Sequence, residues 1–122
     1  APGVEIVLLG GTYQHDSQAM VGPLVRACAR EFYVDHLFVG TDGWIDGVGF
    51  TNTDQMRADA VRAMAEAASE VVVLTESDKF GHHSAVPLRL QGKPTMLVTD
   101  ADIDEKARRS VESLGISVLV AM

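Results

Sequence analysis

Cysteine is nearly missing from this chain of 122 residues, which has only Cys28. One cysteine cannot form a disulfide within the chain, so a reducing compartment, the cytoplasm, is the expected location. No uncharged apolar run approaches the ~18 residues that a membrane-spanning helix needs, and no basic-then-apolar leader opens the sequence. An initiator methionine is also missing, and an aliphatic segment begins at Val4. We therefore expect a cytoplasmic protein without a membrane segment, present here as part of a longer chain.

A coherent basic surface is also missing. The chain has 10 basic against 17 acidic residues and a formal net charge of −7. The densest basic group shares one predicted helix with three acids: Lys106, Arg108 and Arg109 beside Asp102, Asp104 and Glu105. This mixture is typical of a solvated helix surface, whereas a DNA-binding face needs a stripe of basic side chains. The chain is expected to bind DNA poorly by itself.

Aliphatic runs alternate with segments of helical periodicity along the whole sequence, at a length suited to one domain. Strands are predicted at 4–11, 36–40, 70–75, 94–100 and 116–120, with a weaker edge piece at 85–90 that contains Pro87. Helices are predicted at 22–33, 51–69 and 102–115. Solid aliphatic strands that alternate with helices favour an α/β fold, a mostly parallel sheet flanked by helices.

Helix signals refine this prediction. Pro23 suits a first helical turn, Thr53 is a possible N-cap, and Gly115 is a possible C-cap. The predicted apolar stripes are Leu24, Cys28 and Phe32 on the first helix, and Met56, Ala60, Met64 and Ala67 on the second. Residues 41–52 are glycine-rich and polar, which predicts a long functional loop.

Polar and glycine-rich residues follow several of the predicted strands. In open parallel sheets, ligands bind beyond the carboxyl ends of the strands. Glycines at 10, 11, 40 and 43 let backbone N–H groups approach a ligand closely. Asp42 is suited to sugar hydroxyls, and Lys79 to a phosphate. Two plainer interpretations stay open: an exposed Lys79 beside a local acid, and Asp42 as a turn residue before Gly43.

Other constellations predict no metal and no cofactor. The adjacent residues His82 and His83 point opposite ways on an extended segment, and no third ligand accompanies them. Cys28 is expected in the core. The sequence "GKP" at 92–94 is not a P-loop, and the glycines at 47 and 49 lack the third glycine and the strand of a dinucleotide fingerprint.

Four blocks of sequence together resemble a known family. They are "GGTYQHDSQAMVGPL", "HLFVGTDGWIDGVGFTN", "MRADAVRAMAEAASEVVVLTESDKFG" and "TMLVTD". In order and spacing they are similar to the C-terminal effector-sensing domain of DeoR-type transcriptional repressors, from about residue 4 to residue 120. The resemblance implies a fold related to ribose-5-phosphate isomerase and the coenzyme A transferases. It also implies a domain that binds a phosphorylated sugar or sugar alcohol and relays its presence to an N-terminal winged helix-turn-helix.

Carried over residue by residue, the resemblance implies nine ligand-binding positions: Gly10, Gly11, Thr12, Gly40, Asp42, Gly43, Lys79, Phe80 and Gly81. Of these, Phe80 is expected to serve packing more than contact. The sequence departs from the family pattern at Thr41 and Trp44, where Ala and Ile are common, and at His82 and His83, where a basic residue is common.

The resemblance further implies that residues 1–122 are one sensing domain, truncated at its N-terminus. The DNA-binding domain and the first strand–loop–helix unit of the sensor, with its phosphate loop, are missing from the match. A sheet without that unit has an exposed edge or face that a second copy could cover, so a homo-oligomer is expected.

Three functions compete at this point. The leading one is a sugar-phosphate sensor of a transcriptional repressor, without enzymatic activity. The second is a sugar-phosphate isomerase, with Asp42 as general base and Lys79 stabilising an enediolate-like state. The third is an assembly domain with an unused crevice.

Overall fold

The computed structural model describes residues 3–90 and 93–121 and has an α/β architecture. In chain order the elements are β1 (Thr12–Gln14), β2 (Ala19–Val21), α1 (Pro23–Ala29), β3 (Val34–Val39), β4 (Gly43–Ile45), β5 (Gly49–Asn52), α2 (Gln55–Glu66), β6 (Ala68–Leu74), a 3₁₀ turn (Ser77–Gly81), β7 (Val86–Pro87), β8 (Met96–Asp100), α3 (Glu105–Ser113) and β9 (Ser117–Ala121). None of the described helices is long and apolar enough to cross a membrane.

A parallel sheet of four strands organises the molecule, in the order β3-β6-β8-β9. The predicted parallel α/β fold is therefore confirmed. Because all four strands run the same way, their carboxyl ends meet at one edge, where the chain continues into residues 40–42, 75–81 and 101–104. One face of the sheet contributes Val39, Val73, Leu97 and Val118 to the main core. Helices α2 and α3 cover that face through Ala58, Val61 and Val111.

The predicted strand at 4–11 is wrong. Residues 4–10 form no strand, and most of their aliphatic side chains are exposed, with Ile6 73% and Leu8 90% accessible. A strand needs a neighbour to take its backbone hydrogen bonds. Within the described residues, the parallel sheet ends at β3, and residues 4–10 make no backbone hydrogen bond to it. An aliphatic sequence indicates that a segment tends to be buried, but it does not show whether a neighbouring strand is there to pair with it.

The predicted loop at 41–52 is a β-hairpin. Strands β4 and β5 pair antiparallel, and β7 adds a third strand at the edge, where Pro87 was expected. Trp44 and Phe50 face each other across the hairpin, with ring centroids 4.7 Å apart, and both are buried. Cross-strand aromatic packing therefore stabilises a segment whose glycines predicted a loop.

The three helices lie within the predicted segments but are shorter, because α1 ends at Ala29 and the two ends of the second segment belong to β5 and β6. Two further details differ. Asp54, not Thr53, caps α2, because its carboxylate accepts the Met56 N–H at 3.1 Å. Small residues make the buried surface of α2: Ala58, Ala60, Ala63 and Ala65. On α1 the buried residues are Val25 and Ala29, while Leu24 is exposed. Alanines allow α2 to lie close to the sheet and to α1. Met56, which was predicted on the buried stripe, is 48% exposed.

The second face of the parallel sheet carries exposed apolar side chains. Register pairs Phe38 with Val72 and places Leu74, Val98 and Leu119 in one row. Phe38, Leu74 and Leu119 are 60, 47 and 54% exposed. Val72 is buried, at 6% exposed, and we call the other four residues, Phe38, Leu74, Val98 and Leu119, the bare face. Parallel sheets are usually covered on both faces, so the bare face is a candidate contact surface.

Candidate functional site

Asp42 connects the end of β3 to the start of α2. Its Oδ2 accepts hydrogen bonds from the Thr53 backbone N–H at 2.8 Å, the Thr53 hydroxyl at 3.1 Å and Arg57 Nη2 at 2.7 Å. The Asp42 N–H donates to the Thr51 carbonyl at 3.0 Å. Of the two carboxylate oxygens, only Oδ2 has hydrogen-bond partners among the described residues, so Oδ1 is available to a ligand.

These contacts keep the Asp42 side chain ionised. Burial by itself raises the pKa of the Asp42 carboxyl, but the hydrogen bond from the Thr53 backbone and the charge of Arg57 outweigh it, and the pKa lies below its ordinary value. At neutral pH the side chain is ionised and acts as a hydrogen-bond acceptor.

A cleft of about 310 Å³ lies beside this carboxylate. Its polar wall contains Gly40, Thr41, Asp42, Asn52 and Arg57. Its apolar wall is formed by Ala19, Met20, Val39, Ala60, Val61 and Met64. The volume is at the small end of ordinary ligand pockets, which span roughly 300–1,000 Å³. An apolar wall opposite a few polar groups is the usual composition of a small-molecule site.

The turn that carries Lys79 is positioned by Asp100 at the end of β8. The Asp100 carboxylate accepts hydrogen bonds from the Ser77 hydroxyl at 2.6 Å and the Ser77 backbone N–H at 2.8 Å. These bonds lower the pKa of the Asp100 carboxyl, with the hydroxyl bond the larger cause. Lys79 itself is half-buried and does not line the cleft. No described residue pairs with its ammonium group.

Three of the nine predicted positions serve packing. A Cβ on Gly43 would lie 2.3 Å from the His82 carbonyl oxygen, and one on Gly11 would lie 2.6 Å from Val25 Cγ2. Phe80 packs beside Trp44, with ring centroids 5.8 Å apart. These glycines are therefore explained by close approach of neighbouring chain.

The other predicted positions are spread over three places. Gly40 and Asp42 line the cleft together. Lys79 and Gly81 lie on the neighbouring turn, next to the hairpin, because the Trp44 N–H donates to the His82 carbonyl at 2.9 Å. Gly10 lies against Cys28, and Thr12 begins β1 with an exposed side chain. From the β1–β2 hairpin, Ala19 and Met20 line the cleft.

Sequence reasoning missed Arg57 and Asn52. Arg57 lies in the first turn of α2, within a segment predicted as a helix, and no function was predicted for it. Asn52 ends β5 inside the segment predicted as a loop, and it is only 4% exposed. Neither residue carries a local signal. A polar residue next to a helix start is common, and only the fold brings both against Asp42.

Comparisons with known proteins identify a family of sensor domains and several similar transcriptional regulators. Residues 1–101 match the model of the DeoR C terminal sensor domain. The HTH-type transcriptional regulator GlpR of Haloferax volcanii is 30% identical to this chain over 115 residues, which are 94% of this chain and 45% of GlpR. This chain is 29% identical over 123 residues to a protein of Escherichia coli O157:H7 named as an aga operon transcriptional repressor, covering 98% of this chain and 45% of that protein. The HTH-type transcriptional regulator FruR of Bacillus subtilis is 29% identical over 99 residues, which cover 81% of this chain and 39% of FruR. The chain thus spans less than half the length of these relatives.

Proposed function

Because the chain belongs to the family of DeoR C-terminal sensor domains, we propose that it is the effector-binding part of a transcriptional repressor and that its effector is a phosphorylated sugar or sugar alcohol. DNA contact would come from a winged helix-turn-helix in the rest of the polypeptide. A repressor acts where the DNA is, so the proposed location is the cytoplasm.

The observation that carries this proposal is the cleft at the end of β3. Gly40 and Asp42 line it together, and the Asp42 carboxylate is ionised with Oδ1 available among the described residues. A carboxylate oxygen accepts hydrogen bonds from ligand hydroxyls, and the apolar wall suits a short carbon skeleton. Lys79 and Gly81 follow the neighbouring strand β6, at the same edge of the sheet.

The proposed domain includes all of residues 1–122, although the family match ends at residue 101. Strand β9 pairs with β8 along five residues, and Val111 and Ile116 are buried in the main core. These contacts support a single domain that continues past residue 101.

Effector binding would act by shifting an equilibrium between two arrangements of a homo-oligomer. A ligand shifts such an equilibrium only by its difference in affinity for the two states. Asp42 links β3 to α2 through Thr53 and Arg57, so a ligand that contacts Asp42 touches two elements at once. A change in their relative position is the proposed signal.

The isomerase alternative fits this geometry less well. A general base works best with a pKa near the operating pH. Asp42 has the opposite character, because its pKa is lowered and its Oδ2 already accepts three hydrogen bonds. The site favours binding over proton abstraction.

The test is thermal unfolding of the chain with pentose and hexose phosphates and the matching sugar-alcohol phosphates, each beside its unphosphorylated form. A ligand at 100 times its Kd adds about 2.7 kcal/mol to the free energy of unfolding, which raises Tm by several degrees. We expect one phosphorylated compound to raise Tm and Gly40→Ala to reduce the effect. This variant is mild, because a Cβ at Gly40 would lie 3.8 Å from the Leu74 carbonyl oxygen, an ordinary contact. Gly81→Ala, in open space on the adjacent turn, tests whether that turn also contacts the ligand. A panel in which no phosphorylated compound changes Tm, for this chain and for the whole regulator, would refute the proposed effector class.

A further inference from the structure

Arg57 is the basic side chain that reaches the cleft. It lies in the first turn of α2, its side chain is 27% exposed, and its Nη2 donates to Asp42 Oδ2 at 2.7 Å. Its Nε is 4.0 Å from the Asp54 carboxylate. A guanidinium has five N–H donors, so one strong bond to Asp42 leaves donors for another acceptor. Among the described residues that line the cleft, Arg57 is the one Lys or Arg, and Lys79 is not part of the wall.

The Asp42 carboxylate positions the Arg57 guanidinium and leaves its other N–H donors available to a ligand. An arginine held by one carboxylate has lost much of its side-chain freedom before a ligand arrives, so less entropy is lost on binding. Arginine also binds carboxylate and phosphate oxygens in a planar, two-bond geometry that lysine does not provide. The cleft therefore presents a prearranged oxyanion receptor.

Asn52 is the second, independent observation. It lines the cleft, is 96% buried, and its Oδ1 accepts the Asp42 N–H at 3.3 Å. Its Nδ2 donates to no acceptor among the described residues. Thr99 Oγ1 is the one fully buried side-chain N or O atom of the described residues without a hydrogen-bond partner, so the Asn52 amide nitrogen keeps some contact with solvent, and a ligand oxygen in the cleft can replace water as its acceptor. The amide thus supplies a directed donor beside the Arg57 guanidinium.

We infer that Arg57 binds the anionic group of the effector, with Asn52 donating to a neighbouring oxygen and Asp42 Oδ1 accepting from a hydroxyl. The ligand class is a short polyol with one phosphate or carboxylate at its end. This inference rests on the proposed function for the identity of the cleft, and it assigns the anion to α2 where the sequence pattern assigned it to Lys79.

The experiment uses the ¹⁵N-labelled chain and inorganic phosphate as the probe, at constant ionic strength. The Arg57 Nε–Hε signal should shift to saturation, whereas Arg108, in an exposed pair with Glu112 on α3, should not. Arg57→Gln should weaken phosphate binding about tenfold or more, because hydrogen bonds to charged groups are the stronger kind. Arg57→Lys should retain part of the affinity. Lys79→Gln should change it less than about twofold, that is by less than 0.5 kcal/mol.

The outcomes separate the inference from the proposed function. A phosphate titration that shifts the NMR signals of Lys79 and leaves the Arg57 Nε–Hε signal unchanged would overturn the inference. A sugar phosphate that still raises Tm in that case would keep the proposed function. Phosphate that saturates Arg57, with no sugar phosphate binding more tightly than phosphate itself, would support the inference and refute the proposed effector class. No saturable shift at Arg57 with phosphate or any phosphorylated sugar overturns the inference. The unmodified chain gives the first readout, so a variant that fails to fold leaves the test intact.

Discussion

At the residue scale, the glycines of the candidate site have different physical roles. Gly43 is buried, and the backbone of His82 passes where its Cβ would be. Gly81 is exposed, and nothing lies within 4 Å of a Cβ built on it. The sequence motif treats both as ligand-facing, but only the contacts in the structure separate a packing glycine from an open one.

Gly43→Ala is therefore expected to destabilise the chain by about 1–3 kcal/mol, the usual cost of overpacking, because a methyl group 2.3 Å from the His82 oxygen must push the hairpin off the turn. Urea unfolding measures the change. The matched control, Gly81→Ala, should stay within about 0.5 kcal/mol of the wild type. Equal effects of the two variants would contradict the packing at Gly43.

Asp42 predicts a specific pH dependence. Its folded pKa lies below the ordinary 3.8, so folding favours the ionised form. That stabilisation is fully present above the unfolded pKa and is lost as the pH falls through the lower folded pKa. Between neutral pH and pH of about 3, the free energy of unfolding should fall more for the wild type than for Asp42→Asn. Chemical denaturation at several pH values measures both curves. Parallel curves would show that Asp42 has an ordinary pKa.

At the element scale, a strand depends on its neighbour as much as on its own residues. Strands β6 and β8 have partners on both sides and fully bury Val71, Val73 and Leu97, whereas residues 4–10 have a similar aliphatic composition and are mostly exposed. Likewise, residues 43–45 and 49–52 form strands because Trp44 packs against Phe50 and β7 adds hydrogen bonds. The hairpin is also fastened to α3, since the Asp46 carboxylate accepts hydrogen bonds from Trp44 Nε1 at 3.0 Å and Ser110 Oγ at 2.6 Å.

This contrast gives a paired prediction for two leucines. Leu8→Ala should change the free energy of unfolding by less than about 0.5 kcal/mol, because the side chain is 90% exposed. Leu97→Ala should cost about 2–5 kcal/mol, because Leu97 is fully buried in the main core. Urea unfolding of the two variants measures both. A cost at Leu8 near that at Leu97 would mean that residues 4–10 are buried, as the aliphatic pattern predicts.

At the scale of the whole molecule, the described residues cover one face of the parallel sheet and leave part of the other face uncovered. The whole sheet face on which the bare face lies is roughly 19 by 17 Å, from four strands about 4.8 Å apart and five residues at about 3.3 Å each. This area is small beside the ~800 Å² per partner of a standard interface. A second copy of the chain, with the same apolar face, is the partner that we expect, and the association should be weak and concentration-dependent.

Sedimentation equilibrium tests this expectation. The double variant Phe38→Ser, Leu119→Ser should shift the chain towards monomer, because both side chains lie on the bare face and are more than half exposed. Leu114→Ser, at the C-cap of α3 and outside that face, is the matched control and should leave the association unchanged. A wild-type chain that stays monomeric at high concentration would contradict self-association. Association that the double variant leaves unchanged would place the contact elsewhere.

The sequence by itself determined the order of β3, α2, β6, β8, α3 and β9, because strand and helix periodicities are local and these segments are long and regular. It also determined which strand ends carry glycines, Asp42 and Lys79. Tertiary structure alone decided that residues 4–10 have no strand partner, that Gly43 is pressed against His82, and that Arg57 and Asn52 meet Asp42 at the cleft. These features depend on contacts between residues distant along the chain, and a local pattern does not encode which distant atoms fill the space beside a side chain.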